Sequence, residues 1–373
     1  MDKKELFYSI ARPNIRDLEE YDPGPVFPDL VRISSNENNL GVSGRAIEAI
    51  KNAASECNRY GDSRCDSLRD KLARKYGMTP GRFVIGNGLD GVFTMLGRAF
   101  IEPGDEVVCG ELTFSVYAET AEIMGGKAVK VPMTDDMELD VDGFVSAVTD
   151  KTRMVVFCNP NNPTGTGTGI VDIRKMLGAI PEKVLFVLDE AYIEFADENT
   201  ADGMTLLDEY PNLMVCRTFS KVYGLAGLRV GWVAGDEDLM RYLYKVREPY
   251  VVSVPAAAGA EAALDDIEFL SKSVDMARNE KKRLYDFFRS NSIKFIPSQT
   301  NFILLPLGDL SAPLRDGLLE EGIIVRLLRF RSKGIIRITV GLPEENTLLM
   351  EKFMGVYREA KCDIKVDNYT KGE

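Results

Sequence analysis

The chain has 373 residues, with 46 basic and 58 acidic side chains, a formal net charge of −12 and no histidine. The missing histidine excludes a Ser-His-Asp triad, a Cys-His dyad and any His-ligated metal, so acid–base chemistry must come from Lys, Tyr, Asp, Glu or Cys. The acidic balance argues against a nucleic-acid binder, which needs clustered Lys and Arg to displace counterions.

The length suggests roughly two domains. Residues 1–43 are rich in Pro, Asn and acidic side chains and read as an arm that packs on something else, with part of a smaller domain. From 44 to 252 helical and strand patterns alternate. Ile47, Ile50 and Ala54 recur at helical spacing, as do Leu68, Leu72 and Tyr76. Short apolar runs follow: Phe83-Val84-Ile85, Val107-Val108-Cys109, Met154 to Phe157, Val184 to Leu188, Leu213 to Cys216 and Val230 to Val233. Helical patterns near 92–100, 117–124 and 171–180 separate several of them. Near-continuous apolar strands alternating with helices predict an α/β fold, a mostly parallel sheet covered on both faces. Residues 253–373 change style, with a long helical region over 256–289, strands at 302–305, 323–326 and 335–338, and helices near 314–321 and 344–360. They read as a smaller α+β domain.

The six cysteines include no C-x-x-C pair, and Cys109, Cys158 and Cys216 end apolar runs as small hydrophobes do. With no apolar h-region near Met1 and no run of membrane-spanning length, the expectation is a soluble cytoplasmic protein with no membrane or nucleic-acid partner.

Gly86-Asn87-Gly88-Leu89-Asp90-Gly91 matches G-x-G-x-x-G after a strand and before a helix, with Glu111 20 residues beyond the last glycine. That is the dinucleotide fingerprint, but physically it promises only a backbone and helix N-terminus open to a phosphate. A nicotinamide-dependent oxidoreductase is therefore one reading, and plain turn glycines another. Three further segments each follow an apolar strand: Asn159-Pro160-Asn161-Asn162-Pro163-Thr164-Gly165, Asp189-Glu190-Ala191-Tyr192 and Arg217-Thr218-Phe219-Ser220-Lys221. Arg229 comes eight residues after Lys221. Strand ends of this kind are where open α/β sheets bind ligands. Taken singly, Lys221 is a solvated lysine, Asp189 a helix cap, Tyr192 a packed aromatic and Asn162 a turn asparagine.

Together, in this order and spacing, N-P-x-N-P-T-G, D-x-x-Y and S-K-x(7)-R resemble the fold-type I aminotransferases, which use pyridoxal 5′-phosphate (PLP). The resemblance spans nearly the whole chain. It implies that Lys221 joins the PLP aldehyde and then moves the substrate proton, that Asp189 pairs the pyridine nitrogen, and that Tyr192 and Asn162 bond the ring hydroxyl oxygen. It further implies a phosphate site from Gly88, Leu89, Asp90, Thr218, Ser220 and Arg229, and a ring stacked on Phe114, itself an ordinary core residue on the other reading. Tyr60 would reach the neighbouring subunit's phosphate site, making a homodimer with shared active sites.

Within the family the chain most resembles the histidinol-phosphate aminotransferases. Ser34-Ser35-Asn36-Glu37-Asn38, Tyr21-x-Pro23-Gly24, Gly224-Leu225-Ala226-Gly227-Leu228-Arg229 and Arg337-Ile338-Thr339-Val340-Gly341 carry this likeness. It implies substrate contacts from Tyr21, Asn38, Arg326 and Arg337, no metal, and amino transfer between L-histidinol phosphate and 2-oxoglutarate. An aromatic amino acid aminotransferase and an L-threonine-phosphate decarboxylase are alternatives of the same fold. A PLP-sensing regulator is another, but it would need a DNA-binding module for which residues 1–43 are too few. Departures from the pattern fall at Asn39, Gly61, 250–254 and 327–331. A phosphate dianion prefers more than one arginine, which Arg326 with Arg329 or Arg331 would supply unless these last two are surface charges.

Overall fold

The computed structural model describes residues 2–370 except 17, 21–26 and 28, with backbone alone for 363–370. Twelve strands are assigned among the described residues: β1 (Val31–Arg32), β2 (Phe83–Asn87), β3 (Glu106–Gly110), β4 (Lys127–Val131), β5 (Thr152–Cys158), β6 (Leu185–Asp189), β7 (Leu213–Thr218), β8 (Val230–Ala234), β9 (Phe302–Leu305), β10 (Ile323–Ile324), β11 (Arg326–Phe330) and β12 (Lys333–Thr339). Seven form the main sheet, in the order β2-β8-β7-β6-β5-β3-β4. All run parallel except β8, which is antiparallel to both neighbours. The central runs are apolar throughout because helices cover both faces, and every residue of β6 and β7 is buried.

The edge strand β4 was not anticipated from the sequence. Its Lys-Ala-Val-Lys-Val alternation lacks the continuous apolar signal, because one side of an edge strand meets water and lysines there discourage strand addition. The helical region at 256–289 is two helices, Val254–Leu264 and Ile267–Ser290. Asp266 separates them; its carboxylate caps the Phe269 N–H and accepts from Ser43 Oγ. The single strand expected over 323–326 is likewise divided. Ile323 and Ile324 pair in parallel with Val31 and Arg32, whereas Arg326 opens an antiparallel hairpin with β12.

Buried apolar side chains fall into two clusters. The first holds the main sheet and its helices, and includes Ala256, Ala260, Ala263 and Leu264 of the helix after residue 253. The second gathers Ile33 from the arm with Phe288, Leu314, Leu318, Leu349 and Phe353. The three-stranded sheet β11-β12-β9 lies between them and alternates accordingly. Phe302, Leu304 and Ile335 face the first core; Ile303, Leu305, Ile336 and Ile338 face the second.

A buried ionic cluster joins the ends of β6 and β7. Arg217 alternates with Thr218 and so points away from it, where its Nε donates to Glu190 Oε2 at 2.9 Å and its Nη1 to Tyr76 Oη at 3.0 Å. Glu190 Oε1 also accepts from the Gly203 N–H. The guanidinium lies over the rings of Tyr76 and Trp232. Removing one partner strands the other in a water-free site, so Glu190→Ala is expected to lower stability by about 3–5 kcal/mol. A urea midpoint equal to that of the parent protein would show that the pair does not anchor these strands.

Candidate active site

Parallel pairing sets Cys158 beside Asp189 and Asp189 beside Cys216, so the ends of β5, β6 and β7 lie along one edge of the sheet. Each end releases one of the sequence segments singled out above. Asn162 therefore follows β5, Asp189 is the last residue of β6, and Thr218, Ser220 and Lys221 leave β7. β8 returns beside β7, pairing Gly231 with Thr218, and β2 delivers its own end to the same edge through Asn87 and Val230.

Gly88 begins the helix Gly88–Phe100 with φ +67°, a conformation that favours glycine. A Cβ there would sit 2.5 Å from Arg229 Nη2, and one on Gly231 would sit 2.8 Å from the Gly88 carbonyl carbon. The close approach of strand, helix start and guanidinium is thus possible only without side chains. Leu89 is buried behind this turn, while Asp90 takes Arg229 Nη2 at 3.0 Å. Arg229 Nη1 also lies 3.4 Å from Ser220 Oγ, which accepts from Thr218 Oγ1 at 3.1 Å. Hydroxyls, a guanidinium and a helix N-terminus converge, the arrangement that holds a phosphate.

Asp189 is 2% exposed, with Oδ2 accepting from Tyr117 Oη at 2.6 Å and Oδ1 from the Ala191 N–H at 3.0 Å. Burial raises its pKa to about 6 despite those two donors. The helix-cap alternative describes only the Ala191 contact. Tyr117 was missed in the sequence; its position three residues after Phe114 was the available signal. Its ring is fixed by an edge-on contact with Phe114, 5.7 Å between centroids.

Lys221 Nζ lies 5.5 Å from the centre of the buried Tyr192 ring and 3.4 Å from the Ser35 carbonyl oxygen. Burial lowers the amine to about 8, helped by Arg337 and Arg229 and opposed by Glu37 and Asp90. Burial also keeps the Tyr192 phenol protonated well above its ordinary range.

The arm and the C-terminal hairpin close the crevice. Arg337 donates to Asn162 Oδ1 at 2.6 Å and to the Ser34 carbonyl at 2.8 Å. Arg326 stands directly opposite Arg337 on the same face of the hairpin. Neither alternative partner for Arg326 joins it there. Arg329 alternates onto the other face and is exposed, and Arg331 pairs with Glu111 at 2.6 Å. Asn38 also differs from expectation: its amide is engaged by the Val222 carbonyl, Ser273 Oγ and the Leu40 N–H. It is Asn36, read in the sequence only as part of a motif, that reaches Tyr192, at 2.8 Å. Asn161 was also overlooked; it ties Thr113 and Leu112 to the loop after β5. Tyr60 is 83% exposed and stacks on Tyr250 at 4.5 Å, away from these groups. Tyr21 lies outside the described residues.

Residues 28–353 match the family of aminotransferases class I and II. The chain belongs to that family. A relative from Pseudomonas fluorescens named histidinol-phosphate aminotransferase 2 is 38% identical, covering 95% of this chain and 99% of its own. A Symbiobacterium thermophilum histidinol-phosphate aminotransferase is 37% identical over 92% of this chain and 97% of its own. Among solved structures, the Sinorhizobium meliloti histidinol-phosphate aminotransferase in complex with pyridoxal 5′-phosphate superposes with a TM-score of 0.87 at 30% identity, covering 94% of this chain and 98% of that one. In this aminotransferase the sheet edge with Asp189 and Lys221 is therefore the place to test chemistry.

A raised carboxyl pKa binds its proton more tightly in the folded than in the unfolded chain, so it favours folding at low pH and opposes it as pH rises through about 6. Relative to Asp189→Asn, the cofactor-free protein should lose about 2 kcal/mol between pH 4 and 7. Parallel stability–pH curves for the two proteins would show that Asp189 is not strained by its burial.

Proposed function

We propose that the chain is a PLP-dependent aminotransferase that exchanges the amino group between L-histidinol phosphate and 2-oxoglutarate, giving imidazole acetol phosphate and L-glutamate in histidine biosynthesis. The observation that carries this reading is the placement of a buried carboxyl and a lowered-pKa amine at one sheet edge, faced by two arginines directly opposed on one hairpin.

The donor set fits PLP. Ser220, Thr218, Arg229 and the helix start at Gly88, Leu89 and Asp90 would hold the phosphate, where a side chain on Gly88 would fill the space Arg229 uses. Asp189 would pair the ring nitrogen and Phe114 would pack on the ring. Tyr192 and Asn162 would hold the ring hydroxyl oxygen. When bound, PLP supplies an electrophilic carbon and an electron-withdrawing ring. Lys221 Nζ would be the amine that holds the cofactor and the base that takes and returns the proton at the substrate carbon. An amine near 8 is partly neutral at physiological pH, as that base must be. Asp189 gains a positive partner for its buried charge, so its burial and the cofactor reinforce each other.

Arg326 stands opposite Arg337 on one face of the hairpin, so the two guanidiniums can converge on one anion. A phosphate monoester suits both, and the carboxylate of glutamate suits the planar fork of Arg337 in the return half of the cycle. The amide of Asn38 is already engaged, so we assign it the shape of the wall rather than a substrate bond.

We further propose a homodimer in the cytoplasm. Tyr60 is an exposed aromatic fixed by Tyr250, next to Gly61, whose Cβ would lie 2.8 Å from Val254; it is offered outward for a neighbour's phosphate site. Among the described residues no helix is long and apolar enough to cross a membrane. Two cores support two domains. Along Ile267–Ser290 the buried apolar residues pass from the first core at Ala277 to the second at Leu284, so we place the division within that helix rather than at 253.

Glutamate-dependent amination of imidazole acetol phosphate, compared with phenylpyruvate and with CO₂ release from threonine phosphate, tests the substrate. Preference for phenylpyruvate, or CO₂ release, would overturn it. Arg326→Met should raise KM for the phosphorylated substrate about 10–100-fold and leave that for glutamate nearly unchanged. Lys221→Ala should abolish turnover and the visible absorbance of the loaded protein. Mixing Lys221→Ala with Tyr60→Phe subunits should regenerate one undamaged site per heterodimer, whereas strictly additive loss would mean self-contained subunits.

A further inference from the structure

Asn36 is 1% exposed, sits at φ +57°, and is held from three sides. Its N–H donates to Thr339 Oγ1 at 2.9 Å, its carbonyl accepts from Asn301 Nδ2 at 3.1 Å, and Thr339 Oγ1 approaches its Oδ1 at 3.3 Å. The Thr339 hydroxyl thus accepts the Asn36 N–H and gives its own hydrogen to Oδ1. The other end of the amide, Nδ2, donates to Tyr192 Oη at 2.8 Å.

A phenolic hydrogen prefers the plane of its ring, where it has two positions. The Asn36 amide hydrogen occupies one of them. Among the described residues Tyr192 Oη has no hydrogen-bond acceptor, so its hydrogen takes the in-plane position away from Asn36, while Lys221 Nζ lies over the face of the same ring, 5.5 Å from its centre. We propose that Asn36 is a positioning residue that makes Tyr192 an obligatory donor into the crevice. This rests on the reading that Tyr192 bonds the PLP ring hydroxyl oxygen. Accepting from Asn36 also polarises the Tyr192 hydroxyl and strengthens its donation. Thr339 lies two residues beyond Arg337 on β12, so the same chain of bonds links the substrate arginine's strand to the cofactor tyrosine.

The consequence is a protonation equilibrium. A donor to the ring oxygen stabilises its anion, so the proton shared at Lys221 Nζ leaves at lower pH; loss of the donor keeps that proton to higher pH. The charged and titratable groups facing Tyr192 and Lys221 are Asp189 on β6, Cys158 on β5, Arg337 on β12, Glu37 in the arm, and Arg229 with Asp90 at the phosphate end. The variants below leave all of them in place.

The test is the pH midpoint of the visible absorbance of PLP-loaded protein, with melting of the cofactor-free form as a check on folding. Asn36→Gly removes the amide and tolerates the positive φ, and Asn36→Asp keeps the shape but turns donor into acceptor. Both should raise the midpoint, Asn36→Gly by about one pH unit, equivalent to about 1.4 kcal/mol. In a Tyr192→Phe background Asn36→Gly should have no effect, because its partner is gone. An unmoved midpoint in Asn36→Gly, or an equal shift with and without the Tyr192 hydroxyl, would overturn the proposal. If the parent protein loaded with PLP shows no visible band that borohydride fixes on Lys221, the cofactor reading itself fails; a normal parent with unresponsive Asn36 variants sinks the Asn36 role alone.

Discussion

Parallel strands release their chains at the same edge, and there a buried carboxyl and a partly buried amine are held. Asp189 and Lys221 owe their unusual proton affinities to that burial first and to neighbouring charges second. Neither is comfortable without a partner. The sheet can hold them because β6 and β7 are locked from the far side by Glu190 and Arg217, an ion pair completed by Tyr76 and Gly203. Glu190 directly follows Asp189, and Arg217 comes four residues before Lys221. At the end of β6 the division of labour follows from the pleat, which sends neighbouring side chains to opposite faces.

The crevice is finished by segments far from the sheet in sequence. The arm contributes Ser34, Ser35 and Asn36, and the hairpin contributes Arg326, Arg337 and Thr339. These groups bond one another as well as the sheet-edge loops, through Arg337 to Asn162 and Asn36 to Tyr192. Displacing the hairpin would therefore disturb the arm and both loops together. Glu111 and Arg331 add a surface contact from the end of β3 to the hairpin turn, but an exposed pair of this kind contributes little stability.

Legibility in the sequence varied with the range of the interactions. The parallel sheet, the strand-end segments and the glycine turn were visible because continuous apolar runs and turn residues are local signals. β4 was invisible because its Lys-Ala-Val-Lys-Val alternation contains no such run. The break at Asp266 and the split around Val325 were missed because each depends on a distant partner: Ser43 for the first, β1 for the second. The same reason explains the arginines. Arg326, Arg329 and Arg331 look alike along the chain, and only pairing with β12 puts Arg326 opposite Arg337 while sending Arg329 to the other face.

The order and spacing of residues 86–91, 159–165, 189–192 and 217–229 determined by themselves the class of fold and the residues that gather at its binding edge, because each motif is fixed to the end of its own strand. Tertiary structure alone decided the directions of the bonds among them. Tyr117 behind Asp189, Asn36 rather than Asn38 on Tyr192, and the opposed arginines depend on where unrelated segments meet. A hydrogen bond is selected by angles and tenths of an ångström, and contacts of that kind leave no periodic trace in the chain.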